Sequence, residues 1–364
     1  ALGREHGLSV GVYASPHVDH WGERLRRDGR PATAIELGEA LAEVLERGAE
    51  GAASSFFELL TAGAFLALEA HAPDLVVVET GIGGRLDATN VLPRSLAVLT
   101  ALELEHQAIL GSTLSEIARE KCGIIKPGAT VVSGWRPVEG LRVLSERLRE
   151  QGAHGLQRGR DWELEIGLEG WRLAPPDQSL GGLLEYPEDD GEIGPELPEA
   201  DGLPWPPDAW LPVPQIGPFG VDNTAVALCA YREWCRETGR ELELAAVQRA
   251  FAELQVTGRC ETVARDPVVV RVGAHTPAGV GAAARWLGDS TGAPPVVVLG
   301  IAEDNRWEEC LAALRGRIGP LVATDVPGGR AVDPQVLAHR ARALGIDAEA
   351  RATPREALRR ARDR

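Results

Sequence analysis

The chain has 364 residues, of which 38 are Lys or Arg and 54 are Asp or Glu, giving a formal net charge of −16. At roughly 100–200 residues per domain, this length predicts two domains. The acidic balance and the absence of a basic cluster exclude nonspecific binding to nucleic acid, which needs Lys and Arg against phosphates. No run approaches the ~18 apolar residues of a membrane span, and the N-terminus lacks a signal pattern. We therefore expect a cytoplasmic protein that binds no membrane.

The cysteines predict neither disulfides nor a zinc site. They are odd in number, scattered, and form no Cys-x-x-Cys pair: Cys122, Cys229, Cys235, Cys260 and Cys310. Disulfide frameworks and structural zinc sites both need paired spacings. We expect five buried free thiols.

Short apolar runs alternate with amphipathic stretches along most of the chain. The runs predict strands at 75–78, 96–100, 130–132, 268–272, 296–299 and 321–324. The amphipathic stretches predict helices at 34–47, 56–70, 113–122, 223–238, 244–254, 279–287, 307–314 and 334–344. β-Branched runs separated by helices are typical of βαβ units around a buried parallel sheet, so the predicted class is α/β.

Two regions differ from this alternation. Residues 173–218 contain no Lys or Arg but many prolines and acids, which predicts an elaborated surface loop. The strand-helix pattern restarts near Val268, after a turn at residues 257–259. We therefore predict a first domain at 1–256, containing this insert, and a small doubly wound domain of three βα repeats at 257–364.

The first candidate site follows the strand at 75–78. Glu79 ends this strand, and the glycine-rich run Gly81-Ile-Gly-Gly84 follows it. In open α/β sheets the ligand crevice lies at the carboxyl ends of strands, so Glu79 is placed to hold a metal or substrate. The alternative is a tight turn in which the glycines only permit unusual dihedral angles.

A second polar group follows the next strand, 96–100. Glu103, Glu105 and His106 should reach the same edge of the sheet as Glu79. A carboxylate from one strand end and a His from its neighbour could hold one Mg²⁺ together with phosphate oxygens. The alternative for His106 is a structural hydrogen bond.

Lysine is rare in this chain. Of the 38 basic residues only Lys121 and Lys126 are lysines; Lys121 lies at the end of the helix predicted at 113–122 and Lys126 follows within six positions. A lysine amine can become neutral and reactive, whereas a guanidinium cannot. The pair indicates amine chemistry; the alternative is two solvated charges at a helix end.

Three further features are weaker. Ser15-Pro-His17 lacks the Gly-x-Ser-x-Gly elbow of hydrolases, which argues against a nucleophilic serine. His275 follows a strand, Asn223 begins a helix, and Arg259 lies in the turn at the predicted boundary. Together these three residues are expected to line a cleft between the domains, where a nucleotide could bind.

The ordered motifs resemble the folylpolyglutamate synthase/dihydrofolate synthase branch of the Mur-type ATP-dependent amide ligases. The resemblance covers almost the whole chain, and the run from Gly83 to Asn90 is its most specific part, favouring the folate branch over the cell-wall ligases. It is carried by Tyr13-Ala-Ser15-Pro-His17, Glu79-Thr-Gly-Ile-Gly-Gly-Arg-Leu-Asp-Ala-Thr-Asn90, His106 with Leu110-Gly-Ser-Thr-Leu114, Glu120-Lys-Cys-Gly-Ile-Ile-Lys-Pro-Gly128, Asp222-Asn223, Gly258-Arg259, Gly273-Ala-His275, and Leu299-Gly300 with Asp304.

The resemblance implies a Mur-ligase-like central ATPase domain and a Rossmann-like C-terminal domain. It implies an enzyme that uses ATP to convert a pterin or folate carboxylate to an acyl phosphate, which the amine of L-glutamate then attacks. Mg²⁺ is the implied metal, and K⁺ is a further candidate. The implied metal ligands are Ser15, Glu79 and His106; the implied catalytic residues are His106 and Lys121, the latter carbamylated; and the implied ATP contacts are Asn223, Arg259, His275 and Asp304.

The sequence also departs from the family pattern. No Gly-x-x-x-x-Gly-Lys phosphate loop occurs, Val272 replaces an Asp, and Thr276 replaces an Asn. We therefore expect an incomplete chain of a monomeric enzyme. The alternative is a non-catalytic homologue that binds folate or nucleotide.

Overall fold

The computed structural model describes residues 1–49, 54–93, 96–167, 169–175, 209–214, 216–217, 220–303, 306–326 and 331–364. The chain divides into two compact units. The first unit contains residues 1–214 and 221–254, and the second contains 215–220 and 255–364. The predicted assignment of residues 1–256 and 257–364 to two functional domains stays a prediction. Within the described ranges, no helix has the length and apolarity needed to cross a membrane.

The first unit contains a four-stranded mixed sheet. Its strands are β1 (Val10–Tyr13), β2 (Leu25–Arg27), β3 (Arg30–Pro31) and β4 (Leu75–Val78), in the order β3-β2-β1-β4. β1 pairs with β2 in antiparallel fashion and with β4 in parallel fashion. The predicted strand at 75–78 is confirmed, and β4 lies at one edge of this sheet.

A second sheet in the same unit is wholly parallel. It consists of β5 (Ala97–Leu99), β6 (Thr130–Ser133) and β7 (His154–Gln157), in that order. All four residues of β6 are buried, as expected for a central parallel strand. An antiparallel hairpin follows, formed by β8 (Glu163–Gly167) and β9 (Gly170–Ala174).

The helices of the first unit have clear sequence signals. Thr33, Ser55 and Thr113 each cap a helix by accepting a hydrogen bond from the backbone of a Glu three residues later, and that Glu reciprocates. The helices are α1 (Leu2–Glu5), α2 (Ala34–Val44), α3 (Phe56–His71), α4 (Gln107–Leu110), α5 (Leu114–Cys122), α6 (Val138–Gln151), α7 (Gly220–Thr238) and α8 (Leu244–Ala252).

The second unit contains a hairpin and a parallel sheet. The hairpin is β10 (Glu261–Arg265) with β11 (Val268–Arg271). The parallel sheet has the order β12 (Val297–Leu299), β13 (Leu321–Ala323) and β14 (Ala348–Ala350). Its helices are α9 (Pro277–Thr291), α10 (Trp307–Leu314), α11 (Pro334–Ala343) and α12 (Pro354–Arg362).

The structure confirms the α/β class but corrects one strand. The run at 268–272 was predicted to open a parallel βα repeat, yet it forms the second strand of an antiparallel hairpin. Asp266-Pro267 separates two β-forming runs by only two residues, which suits a hairpin, whereas a parallel connection needs a dozen or more. Elements that the residue pattern did not predict include α6, the first turn of α7, β7, β14 and the hairpin of β8 and β9.

Two further predictions concern the cysteines and the acidic insert. The five cysteines are all buried free thiols, as expected. Most of the acidic insert predicted at 173–218 lies outside the described residues.

Candidate functional site at the ends of β4 and β5

The first unit contains a cavity of about 1710 Å³ between β4 and β5. Glu79 follows β4 and lines it; Glu105 and His106, which follow β5, line it as well. Lys121, near the end of α5, reaches the same cavity. Glu79, Glu105, His106 and Lys121 therefore line one cavity, but the sequence-based expectation of a single sheet edge is wrong, because β4 and β5 belong to two different sheets.

Glu79 is positioned by the pairing of β1 with β4. Its backbone N–H donates to the Tyr13 carbonyl at 2.8 Å, which extends the parallel ladder by one residue. Its carboxylate accepts a hydrogen bond of 2.9 Å from the Ser15 backbone N–H. Ser15 and Glu79, both predicted to be near a metal, are thus neighbours. The contact uses the Ser15 backbone, and its hydroxyl role stays a prediction.

The glycine-rich turn is organised by Asp87. Its carboxylate accepts hydrogen bonds from the backbone of Gly81 at 2.9 Å and Ile82 at 3.1 Å, and from the Thr89 backbone at 2.9 Å. One carboxylate therefore fixes both ends of the turn after Glu79. The sequence analysis gave Asp87 no role, although an Asp two residues before Thr89 is a turn-capping signal.

This turn is also attached to the end of α5. The Arg85 N–H donates to the Glu120 carbonyl at 2.9 Å, and the two side chains form an ion pair. The Asn90 side-chain amide donates to the carbonyl groups of Arg85 and Gly123, at 3.0 and 3.1 Å. Lys126 donates to the Asn90 carbonyl at 2.8 Å. Lys126 thus has a structural partner, and these bonds hold the segment that carries Lys121 against the turn.

Gly123 is required by this close approach. A Cβ there would lie 2.3 Å from the Cβ and 2.4 Å from the Cα of Arg85. We expect Gly123→Ala to lower the free energy of unfolding by about 2–3 kcal/mol, because the turn and helix must separate. Urea titration measures this. Gly38→Ala is the control: no atom lies near its added Cβ, so it should stabilise α2 by about 0.5–1 kcal/mol. Equal effects of the two substitutions would contradict the close approach.

Opposite charges meet around Lys121. Burial raises the pKa of Glu103, and the neighbouring Glu105 carboxylate raises it further, while Lys121 opposes both effects. His106 has a φ of 48°, in the left-handed region that is uncommon for residues other than glycine. Such strained backbone concentrates at functional sites, so this observation supports a role for His106.

The segment after Ser15 is held by a buried carboxylate. Glu23 is 8% exposed and accepts hydrogen bonds from the backbone N–H groups of Val18, Asp19 and His20. Burial by itself raises its pKa, but these donors outweigh burial and lower the pKa to about 2. Glu23 therefore stays ionised and fixes the loop next to the candidate site.

Glu23→Gln should remove a pH-dependent part of the stability. The pKa of Glu23 is lower in the folded chain than its ordinary 4.5, so ionisation stabilises the fold above pH 4.5 and this contribution disappears as pH falls towards 2. We expect a loss of about 2 kcal/mol at pH 7 and a smaller loss near pH 3, by urea unfolding. The control is Glu39→Gln, a substitution of an exposed carboxylate on α2. The same loss at both pH values would argue against a charge effect.

The side chain of His17 contacts Arg24 and Trp21. The Arg24 guanidinium donates to its Nδ1 at 3.0 Å, and its ring lies 4.2 Å from the Trp21 ring. Burial and the nearby Arg24 charge lower the pKa of His17. These contacts support the view that Ser15 and His17 are not a hydrolase pair.

The predicted nucleotide contacts are spread over the two units. Asn223 is exposed on α7 in the first unit. Arg259 and His275 are exposed in the second unit, where the His275 Nδ1 lies 3.1 Å from the Gly273 carbonyl. Asp304 lies outside the described residues. The role of all four in binding ATP stays a prediction.

The part of the chain that the structure describes contains no group of three or more His, Cys, Asp or Glu residues arranged to hold a metal ion. Mg²⁺ is commonly held by one or two carboxylates plus substrate phosphates and water. Glu79 and the hydroxyl of Ser15 offer the hard oxygen donors that it prefers.

Comparison with curated proteins identifies relatives along nearly the whole chain. A dihydrofolate synthase/folylpolyglutamate synthase of Mycobacterium tuberculosis is 31% identical over 352 residues, which cover 90% of this chain and 67% of the relative. A folylpolyglutamate synthase of Lacticaseibacillus casei is 29% identical, covering 88% and 71%. The chain spans only 38% of a probable bifunctional folylpolyglutamate synthase/dihydropteroate synthase of Haloferax volcanii. No protein-family model matches.

Solved structures show the same fold. Escherichia coli FolC in complex with DHPP and ADP has a TM-score of 0.78 and 26% identity, covering 99% of this chain and 77% of that one. A Yersinia pestis folylpolyglutamate synthase/dihydrofolate synthase, complexed with AMPPNP and a Mn ion, has a TM-score of 0.78, 25% identity and coverage of 100% and 78%. The fold is thus that of a Mur-type ATP-dependent ligase.

With the M. tuberculosis relative above 30% identity, the family is established as well. The chain belongs to the folylpolyglutamate synthase/dihydrofolate synthase family. Its homologues are ligases that form a carbon–nitrogen bond with ATP.

Proposed function

We propose that this chain acts as an ADP-forming ligase that adds L-glutamate to dihydropteroate, to a folate, or to both. The observation that carries the proposal is the convergence of Glu79, His106 and Lys121 on one cavity at the ends of β4 and β5. A pterin or folate carboxylate and the ATP γ-phosphate must meet at one point, and the strand ends provide that point.

ATP and a divalent metal are supported by the related structures, which contain ADP, or AMPPNP with a Mn ion. In this chain Glu79, Ser15 and His106 are the proposed metal ligands. A bound Mg²⁺ screens the negative charges of the triphosphate and of the attacking carboxylate. K⁺ is a further candidate cofactor. Asn223, Arg259, His275 and Asp304 are the proposed contacts of the nucleotide.

The chain's own residues position charge at the site. Lys121, once carbamylated, would present a carboxylate to the cavity that Glu105 and Glu79 also line, and such a group can hold a second cation. The hydrogen bonds that the Asp87 carboxylate accepts and the Asn90 amide donates keep the turn and α5 in fixed positions. The reacting groups can therefore meet without reorganisation of the protein. L-Glutamate then displaces phosphate from the acyl phosphate through its amine. We propose that the enzyme is a cytoplasmic monomer without a nucleic-acid partner.

A non-catalytic homologue that binds folate or nucleotide is the second candidate. It is favoured by Val272 and Thr276, which replace two polar family residues next to His275.

Steady-state ADP release separates the two candidates. The full-length gene product is assayed with Mg-ATP, L-glutamate and either dihydropteroate or tetrahydrofolate. Glutamate-dependent ADP release with either pterin supports the ligase. Calorimetric binding of Mg-ATP with no release in either assay would support the non-catalytic homologue.

A further inference from the structure

Arg158 is an almost buried cation directly after β7. Only 10% of its side chain is exposed. Its Nε donates to the Glu163 carboxylate at 2.7 Å, and its Nη1 donates to the Asp222 carboxylate. Burial by itself lowers the pKa of Arg158, but the hydrogen bonds to the two carboxylates outweigh burial and raise it. The guanidinium therefore stays charged and connects two acids that are far apart in the sequence.

Glu163 and Trp162 fix the orientation of this guanidinium. The centre of the Trp162 ring lies 5.8 Å from the central carbon of the Arg158 guanidinium. Arg136 donates to both carboxylate oxygens of Glu163, at 2.9 and 2.8 Å, so Glu163 is itself held in place. The donors of a guanidinium have fixed relative directions. Once Glu163 binds the Nε, the direction of the Nη1 donor towards Asp222 is therefore set.

Asp222 lies in the first turn of α7, next to the proposed nucleotide contact Asn223. Val221 and Thr224 of the same turn are buried, whereas Asp222 is 44% exposed and Asn223 is exposed. The buried residues attach one face of the helix to the core, and the bond from Arg158 attaches the other. Because Asp222 and Asn223 are adjacent, this bond also fixes the backbone that carries the Asn223 side chain.

α7 packs against the carboxyl ends of the parallel sheet β5–β6–β7. A Cβ at Gly134, which follows β6, would lie 2.7 Å from the Val226 side chain of α7 and 2.7 Å from the carbonyl of Thr100, which follows β5. The Arg158 backbone N–H donates at 2.9 Å to the carbonyl of Ser133, the last residue of β6. Thr100 also lines the cavity of the candidate site. Arg158 thus attaches the start of α7 to the edge at which α/β sheets bind ligands.

We propose that Arg158 is a positioning residue for the nucleotide: through Asp222 it fixes the first turn of α7 and holds Asn223 at the strand ends. The inference rests on the proposed function, because the role of Asn223 as a nucleotide contact belongs to it. A side chain whose backbone is already fixed loses less conformational freedom when a ligand binds. Arg158 therefore acts on the affinity for the nucleotide and not on the chemical step.

The affinity of the full-length enzyme for Mg-ATP tests this role. We expect Arg158→Gln and Asp222→Asn each to raise the Kd, measured by calorimetry, by about tenfold, the size of a typical coupling between contacting residues. KM for ATP should rise equally, while kcat at saturating ATP stays within about twofold. Asp222 is half-exposed, so Asp222→Asn tests the pair even if Arg158→Gln does not fold.

The double variant separates positioning from a general loss of structure. If Arg158 acts through Asp222, the double variant should bind Mg-ATP about as tightly as either single variant. Asp222→Asn also removes a favourable charge from a helix N-terminus, but this effect is present with and without Arg158 and cancels in the comparison. Additive losses, about 100-fold in the double variant, would overturn the inference, as would single variants with an unchanged Kd.

Arg136→Gln is the matched control in the same network of ion pairs. Arg136 also donates to Glu163 but is 61% exposed. Its replacement should change the Kd less than about twofold. A tenfold rise in this control would overturn the inference, because the effect would then not be specific to the bond with Asp222.

The proposed function is tested separately by the parent enzyme. A parent that binds Mg-ATP but releases no ADP with either pterin would remove the ligase, while the Kd values of the variants would still decide the role of Arg158. A parent that does not bind Mg-ATP would overturn the role of Arg158 as well.

Discussion

Replacing Glu79 by Gln should reduce kcat of the full-length enzyme by about 100- to 1,000-fold while leaving the free energy of unfolding within about 0.5 kcal/mol. The amide oxygen of Gln can still accept the hydrogen bond from Ser15, and Glu79 is exposed, so folding loses little. The charge that the metal and triphosphate require is lost. ADP release and urea unfolding measure the two quantities on one preparation.

Glu69→Gln is the matched control for this substitution. Glu69 is an exposed carboxylate on α3 that lines the same cavity but follows no strand. Its replacement should change kcat less than about twofold. Parallel loss of activity and stability in Glu79→Gln would show that Glu79 has a structural role and holds no metal.

Lys121→Arg should reduce kcat by about 100-fold or more, although it keeps the positive charge. A guanidinium cannot form a carbamate, whereas the Lys121 amine can react with carbon dioxide. With only two lysines in the sequence given, carbon-13 NMR after incubation with labelled bicarbonate can resolve one carbamate signal. We expect that signal in the parent chain and not in Lys121→Arg.

Lys126→Arg is the control offered by the sequence itself. Lys126 donates a hydrogen bond to the Asn90 carbonyl, and an arginine can donate there too. This variant should retain the carbamate signal and most of the activity. A signal that persists in Lys121→Arg, or full activity of that variant, would remove the carbamylated lysine from the proposal.

The sequence predicted the elements that have a strong local pattern. β4 follows from an uninterrupted apolar run, and α5 follows from the Thr113 cap and Glu116. The sequence placed Glu79 and His106 directly after predicted strands, and both residues line one cavity, although their strands belong to two different sheets.

Other features depend on contacts between distant residues. Asp87 and Glu23 each organise a loop through backbone donors, and an isolated acid in a sequence does not reveal how many donors surround it. Val268 was assigned to a parallel strand because apolar composition does not determine the pairing direction. The sequence also could not show that β4 and β5 belong to two different sheets, since the pairing of strands is a tertiary property.

Transfer of labelled oxygen from the substrate carboxylate to inorganic phosphate shows whether the enzyme forms an acyl phosphate. Dihydropteroate or folate carrying heavy oxygen in its carboxylate is incubated with the full-length enzyme, Mg-ATP and L-glutamate, and the inorganic phosphate is analysed by mass spectrometry. If the carboxylate is activated as an acyl phosphate at the ends of β4 and β5, one labelled oxygen appears in each phosphate released, and Glu79→Gln abolishes it. Phosphate released without the label would contradict the account.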